Sequence, residues 1–283
     1  MGLLVFIATV PLCLILSSAS PSEFNQGPKK DGSLSFLVIG DWGRKGTHNQ
    51  TKVAVQTEKI QPLLNHSPTS TRLPACRNHV LGEHDYMGDV KAQLTPLLQL
   101  QVADFSFVDT TMFVDEYFKQ PGDKVYNWAT LLPREIYISN ILERVDSALK
   151  KSSAKWKFVV GHHPIKSAGK NGVTKELEKQ LLPILEKHKV DVYMNGHDYS
   201  LQHISSKIQF MTSGGGSMAL KGIVPKWDPK ELKFYHNGEG FMSVQITQIK
   251  GNCVKNCFGP KTKLDIAFYD VDGKVLYNWN KSK

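Results

Sequence analysis

Three observations on this chain predict an α/β fold. Between residues 155 and 194, apolar β-prone runs alternate with a helix-patterned segment, as in parallel βαβ packing. Four short runs rich in Asp, Glu and His each follow an apolar run: Gly40-Asp41-Trp42-Gly43, Gly82-Glu83-His84-Asp85, Gly161-His162-His163 and Asn195-Gly196-His197-Asp198. Carboxylates and imidazoles at the carboxyl ends of strands are how an open α/β sheet builds a metal or phosphate site. The last quarter of the chain reads almost entirely as strands.

The elements follow in order. Residues 34–39 are apolar and end at Gly40, which reads as a buried strand. A helix is expected over 52–60. Residues 61–79 lack a period and contain Pro62, Pro68 and Pro74, which predicts a loop. Residues 105–108 are strand-like. Asn140 with Glu143 three residues on resembles a capping box, opening a helix with Ile141, Leu142, Val145 and Leu149 on one face. Residues 155–160 and 190–194 read as strands. Between them Thr174 is placed to cap a helix carrying Leu177, Leu181 and Leu185, with a kink at Pro183. Residues 207–212, 241–249, 264–271 and 274–279 read as strands, and Asp272-Gly273 suits the hairpin turn between the last two. Gly214-Gly215-Gly216 reads most simply as a tight loop, with a phosphate nest as the alternative.

Composition narrows the setting. The first twenty of the 283 residues carry no charge, and an apolar stretch from Leu3 to Leu16 is followed by small residues. This predicts a secretory signal peptide over residues 1–19, cut after Ala19, and hence a secreted chain, extracellular or in the cell wall, with the vacuole as an alternative destination. The stretch is shorter than the ~20 residues a bilayer span needs, and no stable membrane span is expected. One large domain over 33–283 fits the remaining length. The net charge of +9 comes from dispersed lysines, which reads as solubility. No basic-aromatic pattern argues for nucleic acid. Cys13 leaves with the signal. Cys76, Cys253 and Cys257 stay, with no four-cysteine zinc pattern. Asn49, Asn65 and Asn280 each open an N-glycosylation triplet.

Asp41 at a strand end offers a carboxylate to a hard cation. His162 and His197 are each set just beyond a buried strand by a glycine. One such histidine is most often structural. Two of them, with Asp41 and the Glu83-His84-Asp85 cluster, point to a shared site.

These motifs carry a resemblance. Gly-Asp-x-Gly at 40–43, Gly-x-His-Asp at 82–85, Val-x-x-His at 159–162 and Gly-His at 196–197 stand in the order of the purple acid phosphatases, most closely the small plant members. The likeness extends through Phe107-Val-Asp-Thr-Thr, Ser153-Ala-Lys-Trp-Lys and Gln209-Phe-Met-Thr-Ser-Gly-Gly-Gly-Ser. It implies a four-layer αββα metallophosphoesterase sandwich with two mixed sheets. It also implies Fe(III) beside a divalent Fe, Zn or Mn, and hydrolysis of phosphate monoesters at acid pH by a metal-bound hydroxide. By position Asp41 resembles the ferric-site aspartate, His162 and His197 the ligands of the divalent ion, and His84 the catalytic histidine that contacts phosphate and protonates the leaving oxygen.

The chain departs from the family pattern. Gly-Asp-x-x-Tyr, which supplies the bridging aspartate and the iron-bound tyrosine, is absent from its family place between residues 43 and 82, and residues 61–80 form an atypical replacement segment. Glu83 replaces an asparagine. Tyr199 stands where a second histidine belongs and is a candidate metal ligand. Lys170-Asn171 stands where a substrate-binding histidine belongs, making both candidates for phosphate contact. Residues 251–263 look inserted. Two divalent ions 3.5 Å apart repel by about 19 kcal/mol at an effective dielectric near 20. Without the bridging carboxylate, at most one divalent metal is therefore expected, and Glu83, His162 and His197 give it two imidazoles and a carboxylate. The lost segment holds a core strand in the family, so the sandwich is expected to be incomplete beside residues 34–39. Three functions follow in order of support: an impaired secreted acid phosphatase, a non-catalytic metal- or phosphate-binding glycoprotein derived from one, and a mononuclear iron oxygenase, which shares only the ligand chemistry.

Overall fold

The structure is a computed structural model that describes residues 33–42, 48–64, 98–99, 102–128, 133–220, 227–249 and 261–283. Its strands are β1 (Leu34–Val38), β2 (Leu98–Gln99), β3 (Ala103–Val108), β4 (Trp156–Gly161), β5 (Val192–Asn195), β6 (Leu201–Ser205), β7 (Gln209–Ser213), β8 (Leu232–His236), β9 (Gly240–Ile249), β10 (Lys261–Asp270) and β11 (Val275–Ser282). Its helices are α1 (Gln50–Leu64), α2 (Glu116–Lys119), α3 (Arg134–Lys151), α4 (Lys175–Gln180) and α5 (Leu182–Lys187).

The strands form two sheets. The larger runs β2-β3-β4-β5-β7-β6-β8 and is mixed: β3, β4, β5 and β7 are parallel, while β2, β6 and β8 pair antiparallel. The smaller runs β1-β9-β10-β11, and its described strands are antiparallel. Period-2 alternation sends each strand's apolar side chains to opposite faces. Phe158 of β4 and Met242, Val244 and Ile246 of β9 meet in the core between the sheets. There Phe105 stacks on Phe158 at 4.8 Å and meets Phe36 edge-on at 5.3 Å. Val159, Tyr193 and Phe210 leave the opposite face of the larger sheet and pack with Val145, Leu149, Leu177, Leu181 and Leu185 of the helical layer. Val53 and Ile60 of α1 cover Phe241 on the outer face of the smaller sheet. The layers are therefore α1, small sheet, large sheet and α3 with α4 and α5, the αββα order.

Several local expectations change. Helix α3 starts at Arg134 after the extended Pro133, so Asn140 lies inside it. Arg134 secures the first turn by donating to the carbonyls of Met112 and Phe113 at 2.7 and 2.8 Å. Thr174 stands at the N-cap of α4 but makes no side-chain cap bond. Pro183 falls in the first turn of a separate helix, α5, so the kink is a break at Leu181. Helix α1 takes up residues 61–64, the start of the expected loop. Residues 261–263, at the end of the stretch read as inserted, pair with β9, and buried Thr262 accepts the Trp156 indole N–H at 3.0 Å. Strands β6 and β8 have no clear signal in the sequence.

Among the described residues β1 has one neighbour, β9, and is the edge of its sheet. The other edge, β11, carries the exposed Asn280. Asn49 is half-buried just before α1. The signal segment 1–19, Glu83, His84, Asn65, the four cysteines and residues 65–80 and 251–260 lie outside the described residues. No described helix is long and apolar enough to cross a membrane.

Candidate metal centre

The carboxyl ends of β3, β4, β5 and β7 share one rim of the larger sheet. The end of β1 is stitched to that rim across the gap between the sheets. Gly40 donates its peptide N–H to the Ser213 carbonyl at 2.6 Å, Gly216 donates to the Gly40 carbonyl at 3.1 Å, and the hydroxyls of Ser213 and Ser217 donate to the carbonyls of Val38 and Asp41 at 2.8 and 2.5 Å. The approach requires glycine. A Cβ on Gly40 would lie 2.5 Å from the Ser213 carbonyl oxygen, and one on Gly216 would lie 2.4 Å from that of Gly40. The triple glycine is thus a tight junction, and it delivers Asp41 from the small sheet to the histidines of the large one.

Asp41, His197 and Tyr199 all hold left-handed backbones, with φ of 54°, 65° and 43°. Such conformations cost of order 1–3 kcal/mol each and persist where surrounding contacts enforce them. The turn after β5 is enforced by Gly196, which donates to the His162 carbonyl at 3.1 Å, and by Asp198, which donates its N–H to the Gly196 carbonyl at 2.8 Å.

His162 stands between two of these side chains. His162 Nε2 is 3.2 Å from His197 Nδ1 and 3.9 Å from Asp41 Oδ1. The Asp41 side chain is only 6% exposed and that of His162 14%. Ligand nitrogens about 2.0–2.1 Å from an ion stand about 3.0–3.4 Å apart at angles between octahedral and tetrahedral, and ligands of one ion are separated by about 4.2 Å at most. The two imidazoles are at the spacing of ligands of one divalent cation, Asp41 approaches the His162 side of the pair, and two imidazoles with one carboxylate suit Fe(II), Zn or Mn. Glu83, the carboxylate expected to complete the His162–His197 pair, lies outside the described residues.

His163 is the histidine the sequence left unassigned. Its ligand atoms fall within 4.8 Å of those of His162 and His197. Yet it is 1% exposed, with Nδ1 3.0 Å from the Thr110 hydroxyl and Nε2 2.8 Å from the Tyr117 hydroxyl. Both nitrogens are engaged, so His163 serves as a wall of the centre.

Asn171 belongs to the His197 turn. Its side-chain amide donates to the His197 carbonyl and its peptide N–H to Asp198 Oδ1, each at 2.7 Å, while Lys170 is exposed beside it. Asp198 also accepts the Ser167 hydroxyl. Burial pushes its carboxyl above the ordinary range, and the Asn171 N–H works against that. Burial likewise raises Tyr193, whose hydroxyl donates to the His163 carbonyl at 2.7 Å. Tyr199 is half-buried two residues beyond His197. A Cβ on Gly214 would come 2.8 Å from both Asp41 Oδ2 and the Tyr199 nitrogen. Thr110, Tyr117, His163 and Asp198 had no sequence signal of their own beyond lying in or near matched motifs.

Comparison with known proteins places the chain in a family. The calcineurin-like phosphoesterase profile matches residues 22–200. Purple acid phosphatase 4 of Arabidopsis thaliana is 42% identical over 335 aligned positions, covering 100% of this chain and 95% of the relative. Because the chain has 283 residues, roughly fifty positions of that alignment have no counterpart in it. Purple acid phosphatase 7 of the same plant is 46% identical over 90% of this chain and 88% of its own length. Tartrate-resistant acid phosphatase type 5 of Sus scrofa is 28% identical over 93% of this chain and 91% of its own. Among solved structures, GAP50, described as the anchor in the inner membrane complex of Plasmodium, shares the fold with a TM-score of 0.64 at 19% identity, over 87% of this chain and 88% of that one. The αββα sandwich, the profile match and these relatives make the chain a calcineurin-like phosphoesterase of the purple acid phosphatase family.

Proposed function

We propose that this chain is an exported acid phosphatase of reduced turnover, acting on phosphate monoesters at a centre that holds one divalent ion. The observation that carries the reading is the pair of facing imidazole nitrogens, His162 Nε2 and His197 Nδ1 3.2 Å apart, with Asp41 Oδ1 3.9 Å from His162 Nε2. Bound between them, a divalent ion supplies Lewis-acid stabilisation of phosphoryl charge and lowers the pKa of a coordinated water.

The chain's own residues do the rest. Asp41, its side chain largely buried, contributes a negative charge that favours a cation beside His162. The Gly40–Ser213 and Gly196–His162 bonds fix the approach of the three ligands. Asn171 and Asp198 hold the left-handed turn that aims His197. His84, by its place in the family motif, is the candidate to contact phosphate and protonate the leaving oxygen, with Glu83 beside it. Lack of a Gly-Asp-x-x-Tyr run between residues 43 and 82, and roughly fifty alignment positions with no counterpart, support one ion rather than an Fe(III)–divalent pair and hence slow turnover. The uncharged, apolar N-terminal segment supports secretion, and the exposed Asn280 is the best placed of the described glycosylation triplets.

A second reading, a non-catalytic metal- or phosphate-binding glycoprotein, is favoured by one observation: the Asn171 amide is committed to the His197 carbonyl, which leaves the substrate side of that loop to exposed Lys170. Hydrolysis of p-nitrophenyl phosphate at about pH 5, with Fe and Zn or Mn supplied, separates the two. Turnover abolished in Asp41→Ala and His162→Ala supports the enzyme. Metal binding without turnover supports the second reading.

A further inference from the structure

We propose that His163, held by Thr110 and Tyr117, is a positioning residue for the metal centre: a neutral imidazole in a single tautomer that sets the spacing of the His162 and His197 rings. The inference rests on Asp41, His162 and His197 being metal ligands.

Hydrogen-bond counting fixes the tautomer. A threonine hydroxyl has two lone pairs and one proton. The Thr110 oxygen accepts the peptide N–H groups of both His162 and His163, at 3.1 and 2.9 Å. Its lone pairs are thus taken, and its proton is left for His163 Nδ1 at 3.0 Å. Nδ1 is therefore the acceptor and Nε2 carries the hydrogen, which it donates to the Tyr117 oxygen at 2.8 Å. The Tyr193 hydroxyl pins the His163 carbonyl at 2.7 Å from a third direction.

Position gives the ring its purpose. It lies 4.4 Å from the His197 ring and 4.8 Å, nearly perpendicular, from the His162 ring. One buried ring is therefore in contact with both ligand imidazoles, which stand 3.2 Å apart at their facing nitrogens. Thr110 also clamps the peptide that launches His162. The clamp needs Gly161, where a Cβ would meet the Tyr193 hydroxyl at 2.3 Å and the Thr110 methyl at 2.6 Å. Thr110, Tyr117 and Tyr193 come from three different segments, so the arrangement is built by the tertiary fold.

The test is Zn(II) and Mn(II) affinity of the full chain by equilibrium dialysis, with metal-free thermal unfolding beside it. Thr110→Val keeps the shape and removes the hydroxyl, and Tyr117→Phe removes the far partner. Each is expected to weaken metal binding by about tenfold or more, the usual effect of outer-shell partners, while Thr110→Ser restores an affinity near that of the natural chain. Tyr117→Phe covers the case in which Thr110→Val does not fold. Two-dimensional 15N–1H spectra of metal-free protein are expected to show His163 as the Nε2–H tautomer. Unchanged affinity in both variants, or an Nδ1–H form of His163, overturns the inference. If the natural chain binds neither ion, the metal reading itself fails. If it binds and the variants match it, only the role of His163 falls.

Discussion

Gly196 donates its peptide N–H to the carbonyl of His162 at 3.1 Å, so the two loops that carry the facing histidines are tied by their backbones. Asp41 joins them from the other sheet through Gly40, whose missing Cβ leaves room for the Ser213 carbonyl. The centre is thus a junction between sheets, and its weak points are backbone contacts as much as ligands.

Gly40→Ala tests the junction. The added methyl would meet the Ser213 carbonyl oxygen at 2.5 Å and Gly196 Cα at 3.0 Å. Neither is the end of a flexible side chain, so the strands must part. A loss of about 2–3 kcal/mol in urea unfolding is expected, together with weakened metal binding. Gly172→Ala, at a positive φ with no neighbour near the added methyl, is expected to cost less and to spare metal binding.

Asp198→Ala removes the acceptor for the Ser167 hydroxyl and the Asn171 N–H. Leaving those donors without it is expected to cost about 2–3 kcal/mol. The Asn171 bond to the His197 carbonyl should loosen with it. Dialysis against Zn(II) checks the second effect, which is expected as a fall in affinity.

His203 gives the fold an acid limit. It is buried on β6 and reaches toward β11, its ring nitrogens meeting the Tyr277 hydroxyl at 3.0 Å and Gln209 at 2.9 Å. Burial lowers its pKa from 6.5 to about 4, against the pull of the Gln209 bond. The unfolded chain therefore binds the extra proton first as pH falls. This stability is complete above the unfolded value of 6.5, declines toward the folded value of about 4, and changes little below it. Near pH 4.5 the loss is about 2–3 kcal/mol. Urea midpoints at neutral pH and near pH 4.5 should show a larger drop for the natural chain than for His203→Gln.

Strand β1 should exchange asymmetrically. Among the described residues it pairs with β9 alone. Every second amide of β1, the set turned away from β9, is expected to exchange rapidly with deuterium while the set facing β9 is protected. Protection of both sets would show that another segment takes the place of the family's missing strand.

Much of this was legible because it is local. An apolar run, a glycine and a histidine announce His162 and His197 without reference to anything distant, while the last hairpin turns one residue earlier than expected, over Val271-Asp272, with Gly273 following at a φ of 81°. What escaped depends on the fold. Strand β6 was hidden because Gln202 and His203 are buried polar residues, satisfied by Ser167, Ser200, Gln209 and Tyr277, which erases the apolar alternation. Thr110 reaches the His162 peptide only because β3 lies parallel to β4 with Val108 beside Gly161. Asn140 looked like a cap because Arg134, whose bonds begin α3 earlier, acts through carbonyls that no sequence spacing reveals.

The most direct test of the account is the metal content of purified full-length chain after extended dialysis, set beside Asp41→Ala, His162→Ala and His197→Ala. The account predicts close to one equivalent of a divalent ion in the natural chain and a marked loss in each variant. Two equivalents retained by the natural chain, or undiminished metal in all three variants, would contradict it.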